Sequence, residues 1–338
     1  MLDILALGEF LIDFTALSNQ QYQANPGGAP VNVLIAASFM HRSTGFIGKI
    51  GSDYFGDVLA DTLKQYGVST HGLSRCPHIP TTLAFVHLNA QGERSFTFFR
   101  NPGADTQLAP QDMDPIYLES CQLFHFGSLS LTHSPAKEAT EMALKRVRSA
   151  HKLVSYDPNL RPLLWSHLPE EECRRRILWG FYQANVVKVS EEELLWLFPG
   201  KSLRQGLSEV HAMGPSLVFL TFGPDGSVAS YMGNTVYHPA FSVPVVDTTG
   251  AGDAFFGCVL GLLWKDDRPV ISFHMNELHT ILRYANAAGA LCCSRFGAIP
   301  AMASADEIHL AQQTLSLKEP TRFTNIDEWL ETTGKDLA

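Results

Sequence analysis

The segment that most constrains the fold of this chain is 247–257, Asp-Thr-Thr-Gly-Ala-Gly-Asp-Ala-Phe-Phe-Gly. It lies between two apolar runs, 241–246 and 255–264. This order predicts a β-rich segment that passes through a turn of small residues into a helix. Such a turn presents backbone N–H groups at the positive end of the helix, where an anion binds readily. Asp253, about one turn into that helix, adds a carboxylate beside the anion, and this combination favours phosphoryl transfer.

Glycine-rich turns also serve other purposes. A dinucleotide-binding fingerprint needs a third glycine, but Phe255 stands where that glycine would follow Gly250 and Gly252. A P-loop needs the pattern GxxxxGK[ST], which the sequence does not contain. By its shape alone, the segment is therefore compatible with a phosphate site or with an ordinary helix cap.

The composition is that of a globular protein. With 338 residues, 45% hydrophobic and 17% charged, the chain is long enough for one large α/β domain with an appendage, or for two domains. Its net charge of −9 argues against a general binder of nucleic acids or anionic membranes. The first residues show no secretory signal, and no apolar run approaches the ~20 residues of a membrane span. Six cysteines without CxxC spacing suit free thiols and predict a cytoplasmic protein.

Polar side chains follow the predicted strands at the point where each strand ends. Residues 2–12 are expected to form one apolar strand, covered on both faces, and the runs 153–157, 186–190 and 217–221 are expected to form later strands. Because the carboxyl ends of parallel strands face one crevice, the polar residues at these ends predict a single ligand site. These residues are Asp13, Asp157, Ser190, Thr221 and Asp247.

A second pattern interrupts the alternation of strands and helices. Residues 81–88 and 93–100 alternate in polarity around the turn 89–92, which predicts a β-hairpin. Together with the irregular segment 15–25, the hairpin is expected to form a small sheet over a sugar-sized crevice. Arg100, at the end of the hairpin, is either a ligand contact or a solvated charge at the edge of the sheet.

Three other side chains lie near predicted helix starts or strand ends. Asn32 falls in the first turn of a helix that follows two adjacent glycines, so its amide is expected near the crevice. Arg161 follows the strand 153–157 and is suited to hold a phosphate with two hydrogen bonds. Ser52 is a favourable N-cap for the helix after the strand 44–51.

Two segments, in the correct order, resemble the signatures of the ribokinase-like (PfkB) carbohydrate kinases. Segment 247–257 resembles the C-terminal signature, and segment 45–56, with its spaced glycines, resembles the N-terminal one. The resemblance runs from residue 2 to about residue 303. Within the family, four segments are most similar to fructokinases: 8–13 (GEFLID), 27–32 (GGAPVN), 100–105 (RNPGAD) and 157–165 (DPNLRPLLW).

The resemblance implies a three-layer α/β/α domain with a mostly parallel central sheet and a small β-sheet lid. The domain would span residues 1–317, with lid segments at about 13–26 and 80–103 and a tail at 318–338 without an assigned role. The implied activity is ATP-dependent phosphorylation of a sugar hydroxyl, most similar to that of D-fructose to fructose 6-phosphate. The alternatives are 2-keto-3-deoxygluconate kinase, another PfkB sugar or nucleoside kinase, and a sugar-binding sensor that has lost catalysis.

The resemblance also assigns roles to residues. Asp253 matches the base that takes the hydroxyl proton, and Arg161 is expected near the transferred phosphate or the sugar. The anion hole is matched by Gly250, Ala251 and Gly252. The sugar site is matched by Asp13, Gly28, Asn32 and Arg100. The nucleotide site is matched by Lys188, Glu193, Thr221, Gly223, Gly226 and Asn286.

The same resemblance implies metal ions and partners. Mg²⁺ would accompany ATP through Glu193, although Ser190 replaces the asparagine of the family's NxxE element. Backbone carbonyls of Asp247, Thr249 and Gly297 match the ligands of a K⁺ ion that often binds beside the anion hole. The expected partners are a small sugar and ATP, with neither nucleic acid nor membrane, and the apolar hairpin favours a homodimer through the lid.

Overall fold

The computed structural model describes residues 1–17, 21–88 and 94–334. A nine-stranded sheet carries helices on both faces, and a separate four-stranded sheet contributes residues to a central cleft. The strands are β1 (Leu2–Leu7), β2 (Leu11–Ala16), β3 (Tyr22–Gly27), β4 (Thr44–Gly51), β5 (Ser69–Cys76), β6 (Leu83–Leu88), β7 (Arg94–Phe99), β8 (Cys121–Gly127), β9 (Leu153–Asp157), β10 (Val186–Ser190), β11 (Leu217–Thr221), β12 (Ser227–Tyr231), β13 (Asn234–His238), β14 (Trp264–Lys265) and β15 (Arg268–Pro269). The helices are α1 (Ala29–Phe39), α2 (Tyr54–Gln65), α3 (Pro115–Glu119), α4 (Ala136–Ser149), α5 (Pro162–Trp165), α6 (Glu170–Phe181), α7 (Glu191–Leu197), α8 (Leu203–Ala212), α9 (Ala251–Leu262), α10 (Met275–Cys293), α11 (Ala305–Thr314) and α12 (Ile326–Trp329).

The large sheet has the strand order β13-β12-β11-β10-β9-β8-β1-β4-β5. Strands β11 to β5 in this order are parallel, and β12 and β13 extend the sheet antiparallel at one end. The carboxyl ends of the parallel strands therefore share one edge, as a ligand crevice in an open α/β sheet requires. The predicted three-layer α/β/α class is confirmed.

Strand β1 shows how the sheet divides the hydrophobic core. Ile4 and Ala6 belong to one core with α1, α9 and α10, whereas Leu5 and Leu7 belong to the core on the other face with α4, α6 and α8. All four side chains are fully buried. Since successive side chains of a strand alternate between faces, a strand covered on both sides is apolar throughout.

The small sheet has the order β3-β2-β6-β7 and is called the lid sheet below. Strands β2 and β3 are antiparallel, β2 and β6 are parallel, and β6 and β7 form the predicted hairpin. The predicted turn of this hairpin, 89–92, lies outside the described residues. Phe14 and Phe85 stack on one face of the sheet, with ring centroids 4.8 Å apart.

The prediction that residues 2–12 form one strand is wrong. The chain leaves the large sheet after Leu7 and begins β2 of the lid sheet at Leu11. The physical reason lies between them: a Cβ at Gly8 would be 2.5 Å from the Pro30 ring, and Glu9 accepts a hydrogen bond from the Ala29 N–H at 3.1 Å. These contacts turn the chain toward the start of α1, so Asp13 lies within β2 of the lid sheet.

The apolar run 241–246 also differs from the prediction, because only an isolated bridge from Phe241 to Leu317 has β geometry there. Pro244 has no N–H for a sheet, and Val245 is 67% exposed. The run is apolar because Phe241, Val243 and Val245 line a cavity.

Helix α2 begins one residue later than predicted. Asp53, not Ser52, is its N-cap, and the Asp53 carboxylate accepts from the Gly56 N–H at 2.8 Å. The same carboxylate accepts from the Thr81 N–H and hydroxyl, each at 2.8 Å. These bonds tie the helix start to the segment that leads into β6.

In the part of the chain that the structure describes, no helix combines the length and apolar character needed to span a membrane.

Candidate active site

Two helix N-termini meet at the cleft between the large sheet and the lid sheet. Helix α1 begins after Gly28 and α9 after Gly250, and both glycines line the cleft. The helices lie close together, because a Cβ at Gly257 would be only 2.6 Å from the Val33 carbonyl oxygen. The positive ends of two helix dipoles therefore reach the same site.

The turn before α9 requires glycine. Gly250 has a φ of +78°, in the left-handed region that side chains disfavour. A Cβ there would also lie 2.7 Å from the Ala298 Cβ. Ala251 and Gly252 follow as the first residues of α9, and the first N–H groups of a helix have no partner within the helix. The Ala251 N–H donates to the Thr248 carbonyl at 3.3 Å. The turn and the helix start thus have the bounds on which the predicted anion seat depends, and the seat itself stays a prediction.

Asp253 lies in the first turn of α9 and lines the cleft. Its Oδ2 accepts a hydrogen bond from Asn32 Nδ2 of α1 at 2.8 Å. Burial raises the pKa of Asp253 to about 6, although the Asn32 hydrogen bond and the charges of Lys188 and Arg161 act in the opposite direction. Such a carboxylate is mostly ionised at neutral pH and is well matched to accept a proton there.

Asp13 faces the cleft from β2 of the lid sheet. Burial raises its pKa to about 7, and the charges of Asp253 and Asp247 add to this effect, while Arg161 opposes it. The exposed Arg161 lines the same cleft. Asp13 and Asp253 thus bring two carboxyl groups into a cleft that Arg161 also lines.

Lys188 brings a positive charge close to the anion seat. Its Nζ is 3.1 Å from Asp157 Oδ2, and a Cβ at Gly252 would lie 3.1 Å from the same Nζ. Burial opposes protonation of Lys188, but Asp157, Glu193 and Asp253 outweigh it and raise the pKa. The ammonium group is therefore charged where a phosphoryl group at Gly252 would meet it.

Glu193 is held by two backbone N–H groups. Its Oε1 accepts from the Leu160 N–H at 2.7 Å and its Oε2 from the Ser190 N–H at 2.8 Å, while the Ser190 hydroxyl accepts from the Glu193 N–H. Ser190 is thus the N-cap of α7 in a capping box. The serine that replaces the family's asparagine keeps Glu193 fixed beside the cleft, which Glu193 also lines.

The three residues predicted to surround a monovalent cation are joined by hydrogen bonds. Asp247 Oδ1 accepts from the N–H and hydroxyl of Thr249, and Asp247 Oδ2 accepts from the Gly297 N–H at 3.1 Å. Within the described ranges, no group of three or more His, Cys, Asp or Glu side chains could hold a metal ion.

Two cavities meet at the anion seat. The first, of about 260 Å³, lies under the lid sheet and contains Asp13, Asn32 and Asp253 in its wall. The second, of about 580 Å³, has a mainly apolar wall. Thr248 and Gly252 line both cavities. A group bound at the start of α9 is therefore accessible from either side.

The residues predicted for the nucleotide are divided between these cavities. Thr221, Gly223, Gly226 and Asn286 line the second cavity. Lys188 and Glu193 instead line the first. Of the residues predicted to follow strand ends, Asp13, which lies within β2, and Ser190 line the first cavity, and Thr221 lines the second.

Arg100 is bound within the protein. It is 5% exposed, and its guanidinium donates to Asp105 Oδ2 at 2.8 Å, to the Thr132 hydroxyl at 3.0 Å and to the Leu129 carbonyl at 3.1 Å. The alternative of a solvated edge charge is therefore wrong. Arg100 lines neither cavity, so a direct contact with a sugar stays a prediction.

Several cleft residues were missed by the sequence analysis. Glu9 stood inside an apolar run, Phe98 in a hairpin with many apolar residues, and Asn159 beside more conspicuous charges. A signal existed for Asn159, because asparagine tolerates a positive φ after a strand, here +41°. The remaining wall of the first cavity comes from Leu11, Thr15, Ala29, Leu129, Leu164 and Thr249.

Two cavities that meet at the N-terminus of α9, beside the carboxylate of Asp253, are the arrangement expected of a phosphotransferase for a small molecule. Comparison with known proteins agrees: the model of the pfkB family carbohydrate kinases matches residues 1–305. The chain belongs to this family. It is therefore an enzyme that transfers a phosphoryl group to a sugar hydroxyl.

The relatives are similar over nearly the whole chain. A probable fructokinase-4 from Arabidopsis thaliana is 40% identical, covering 90% of this chain and 95% of its own length. The structure of a Xylella fastidiosa fructokinase with bound ATP has a TM-score of 0.86 at 33% identity, covering 92% and 98% of the two chains. A double mutant of a Vibrio cholerae O395 fructokinase, bound to fructose, ADP and potassium ion, has a TM-score of 0.83 at 30% identity, covering 92% and 98%.

Proposed function

We propose that this carbohydrate kinase transfers the γ-phosphate of ATP to D-fructose, giving fructose 6-phosphate and ADP. The observation that carries the proposal is that Thr248 and Gly252 line both cavities. Asp253 directly follows Gly252 in the chain. ATP in the second cavity and a sugar in the first would meet at this point. The similarity to a fructokinase with bound ATP and to one with bound fructose supports these two substrates.

In the proposed reaction, Asp253 accepts the proton of the sugar hydroxyl as the hydroxyl oxygen bonds to the γ-phosphorus. The bond from that phosphorus to the leaving oxygen of ADP breaks in the same transfer. Backbone N–H groups of Gly250, Ala251 and Gly252 stabilise the negative charge on the phosphoryl oxygens. Lys188 supports them from beside Gly252. Positioning and charge stabilisation thus supply most of the catalysis.

The sugar would be held by groups that already face the first cavity. Asp13 and Asn32 offer an acceptor and an amide, and the turn at Gly28 brings the backbone close. A Cβ at Gly28 would lie 2.5 Å from the Glu9 carbonyl oxygen, so this close approach depends on glycine. Arg161, which is exposed and lines the same cavity, would bind the phosphate or the sugar.

The proposal includes two cations. Mg²⁺ bound to ATP would neutralise phosphate charge, with Glu193 acting indirectly because both of its oxygens already accept backbone N–H groups. K⁺ would bind at the carbonyls of Asp247, Thr249 and Gly297, three residues that hydrogen bonds to the Asp247 carboxylate join. Replacing K⁺ with Na⁺ or tetramethylammonium tests the second ion, since turnover should fall when K⁺ is absent.

A substrate screen tests the proposal. ATP consumption is measured with D-fructose, other hexoses, pentoses, nucleosides and 2-keto-3-deoxygluconate, in Mg²⁺ with and without K⁺. We expect the highest kcat/KM for D-fructose and fructose 6-phosphate as the product by NMR. A preference for the sugar acid would overturn the choice of fructose. Binding of fructose without ATP consumption would instead identify a sensor.

The proposal also includes a homodimer through the lid sheet. The Phe85 ring contacts the rings of Tyr22 and Phe99 on one face of this sheet. Phe99 is 61% exposed. An exposed aromatic face is suited to pair with a second copy. Analytical ultracentrifugation should show a dimer that Phe99→Asp weakens, and a monomer at micromolar concentration would contradict this part of the proposal.

A further inference from the structure

The C-terminal segment 316–334, called the tail below, packs behind the wall of the second cavity. The Ser242 N–H donates to the Ser316 carbonyl at 2.9 Å, and the Lys318 N–H donates to the Ala240 carbonyl at 2.8 Å. These bonds flank the bridge between Phe241 and Leu317. Residues 240–243 also line the second cavity. The tail therefore backs one wall of this cavity.

Asp225 connects the tail to a second wall, the loop 222–226. Its carboxylate accepts from the Thr321 N–H at 2.6 Å, from the Thr321 hydroxyl at 2.9 Å and from Arg322 Nε. The residue is 1% exposed. Burial opposes ionisation of Asp225, but the hydrogen bonds from Thr321 and Arg322 outweigh it and hold its pKa below the ordinary value. Gly223, Pro224 and Gly226 of this loop line the cavity.

The Arg322 guanidinium contacts three parts of the molecule, which are the loop 222–226, the start of α7 and the Trp329 ring. Besides Asp225, its guanidinium donates to Glu191 Oε2 at 2.6 Å and to the Phe222 carbonyl at 2.9 Å. The guanidinium also lies 5.3 Å from the centre of the Trp329 ring. A lysine has one charged group and no planar fork, so it can replace only part of this set. One tail side chain thus fixes the loop 222–226 and the start of α7.

Lys318 gives the tail a direct place in the cavity. Among the described residues that line the second cavity, Lys318 is the one with a charged side chain. The chain as a whole carries a net charge of −9, so a cation beside this cavity favours an anionic ligand over the background.

We propose that the C-terminal tail is part of the ATP site. Arg322 is a positioning residue that holds the loop 222–226 through Asp225, and Lys318 supplies positive charge at the rim of the cavity. This inference rests on the proposed placement of ATP in the second cavity. The tail therefore determines affinity for the nucleotide and leaves affinity for the sugar unchanged.

Kinetics of the full chain test this inference. In Arg322→Ala, we expect KM for ATP to rise about tenfold, because one ordered loop of the site is lost, while KM for the sugar stays within about twofold. Arg322→Lys should recover part of the loss. Lys318→Gln removes only a partly exposed charge and should raise KM for ATP about threefold at an unchanged melting temperature. This second variant keeps the test valid if Arg322→Ala does not fold.

Arg204→Ala is the matched control. Arg204 binds the tail residues Glu331 and Asp327, and it lines neither cavity. Its loss should leave both KM values unchanged. The inference is overturned if Lys318→Gln and a folded Arg322→Ala keep the KM for ATP, or if both KM values rise equally. Failure of the proposed function is distinguishable: if the chain uses no ATP, the unmodified chain does not bind a fluorescent ATP analogue, and if only the sugar is wrong, the KM values for ATP of the variants still report on the tail.

Discussion

Asp253 and Asp13 are two carboxyl groups with raised pKa values, of about 6 and about 7, that face one cleft. Asp253 must be ionised to accept a proton, so kcat/KM should fall as the pH drops through this range. Because the two groups interact, the profile reports apparent values of the pair. Asn32→Ala removes a hydrogen bond that lowers the pKa of Asp253, so the acid limb should move to higher pH. A pH–rate profile that is flat from pH 5 to 8 would contradict this assignment.

The turn at Gly250 gives a second prediction at this scale. Gly250→Ala forces a side chain into a φ of +78° and against Ala298, so stability should fall by about 1–3 kcal/mol and turnover should be nearly lost. Gly67→Ala is the control, because Gly67 has a similar φ of +69° but open space where the Cβ of alanine would stand. It should lose about 1 kcal/mol in denaturant unfolding and keep its activity. Equal activity losses in both variants would contradict a specific role for the turn.

At the scale of single residues, the sequence predicts the parts of the site that lie in one short segment. Asp253 and Gly250 could be identified because a helix start, its glycines and its acid are adjacent in the chain. Glu9 could not, since its role depends on a hydrogen bond with Ala29, twenty residues away. Arg100 was identified as a candidate, but its burial could not be predicted, because its partners Asp105 and Thr132 come together only in the folded chain.

Neighbouring side chains of β7 lie on opposite faces of the lid sheet. Phe98 lines the first cavity, whereas its neighbour Phe99 lies on the opposite face with Phe85. Phe98→Ala should raise KM for the sugar several-fold by opening the cavity, and KM for ATP should change little. Phe99→Ala should leave both KM values unchanged. Steady-state kinetics in both substrates check this, and equal effects of the two changes would refute the assigned faces.

Element types were predictable where hydrophobic period and length agreed. The strands 153–157, 186–190 and 217–221 have the predicted bounds. The run 2–12 was misjudged because period alone does not show which sheet a strand joins. The run 241–246 was misjudged because its apolar side chains line a cavity and form no part of a sheet core.

At the scale of the whole molecule, the arrangement of the cavities decides the chemistry. The large sheet brings α1 and α9 together, the lid sheet closes the first cavity, and the C-terminal tail supports the second. The convergence of strand ends predicted one crevice, but it could not show two cavities joined at Thr248 and Gly252. Their separation depends on contacts between segments distant in sequence, which no local pattern records.

The replacement Asp253→Asn tests the central claim most directly. It removes the proposed base and keeps the size of the side chain, so kcat should fall by about 10²–10⁴ while the Kd for ATP stays within about twofold. The folded-state pKa of about 6 lies above the ordinary 3.8, so the ionised carboxylate disfavours the folded state at pH 8. The variant should therefore melt at a higher temperature at pH 8, and this gain should vanish as the pH falls through 6 toward 4. A folded, ATP-binding Asp253→Asn with near-normal kcat would contradict the account.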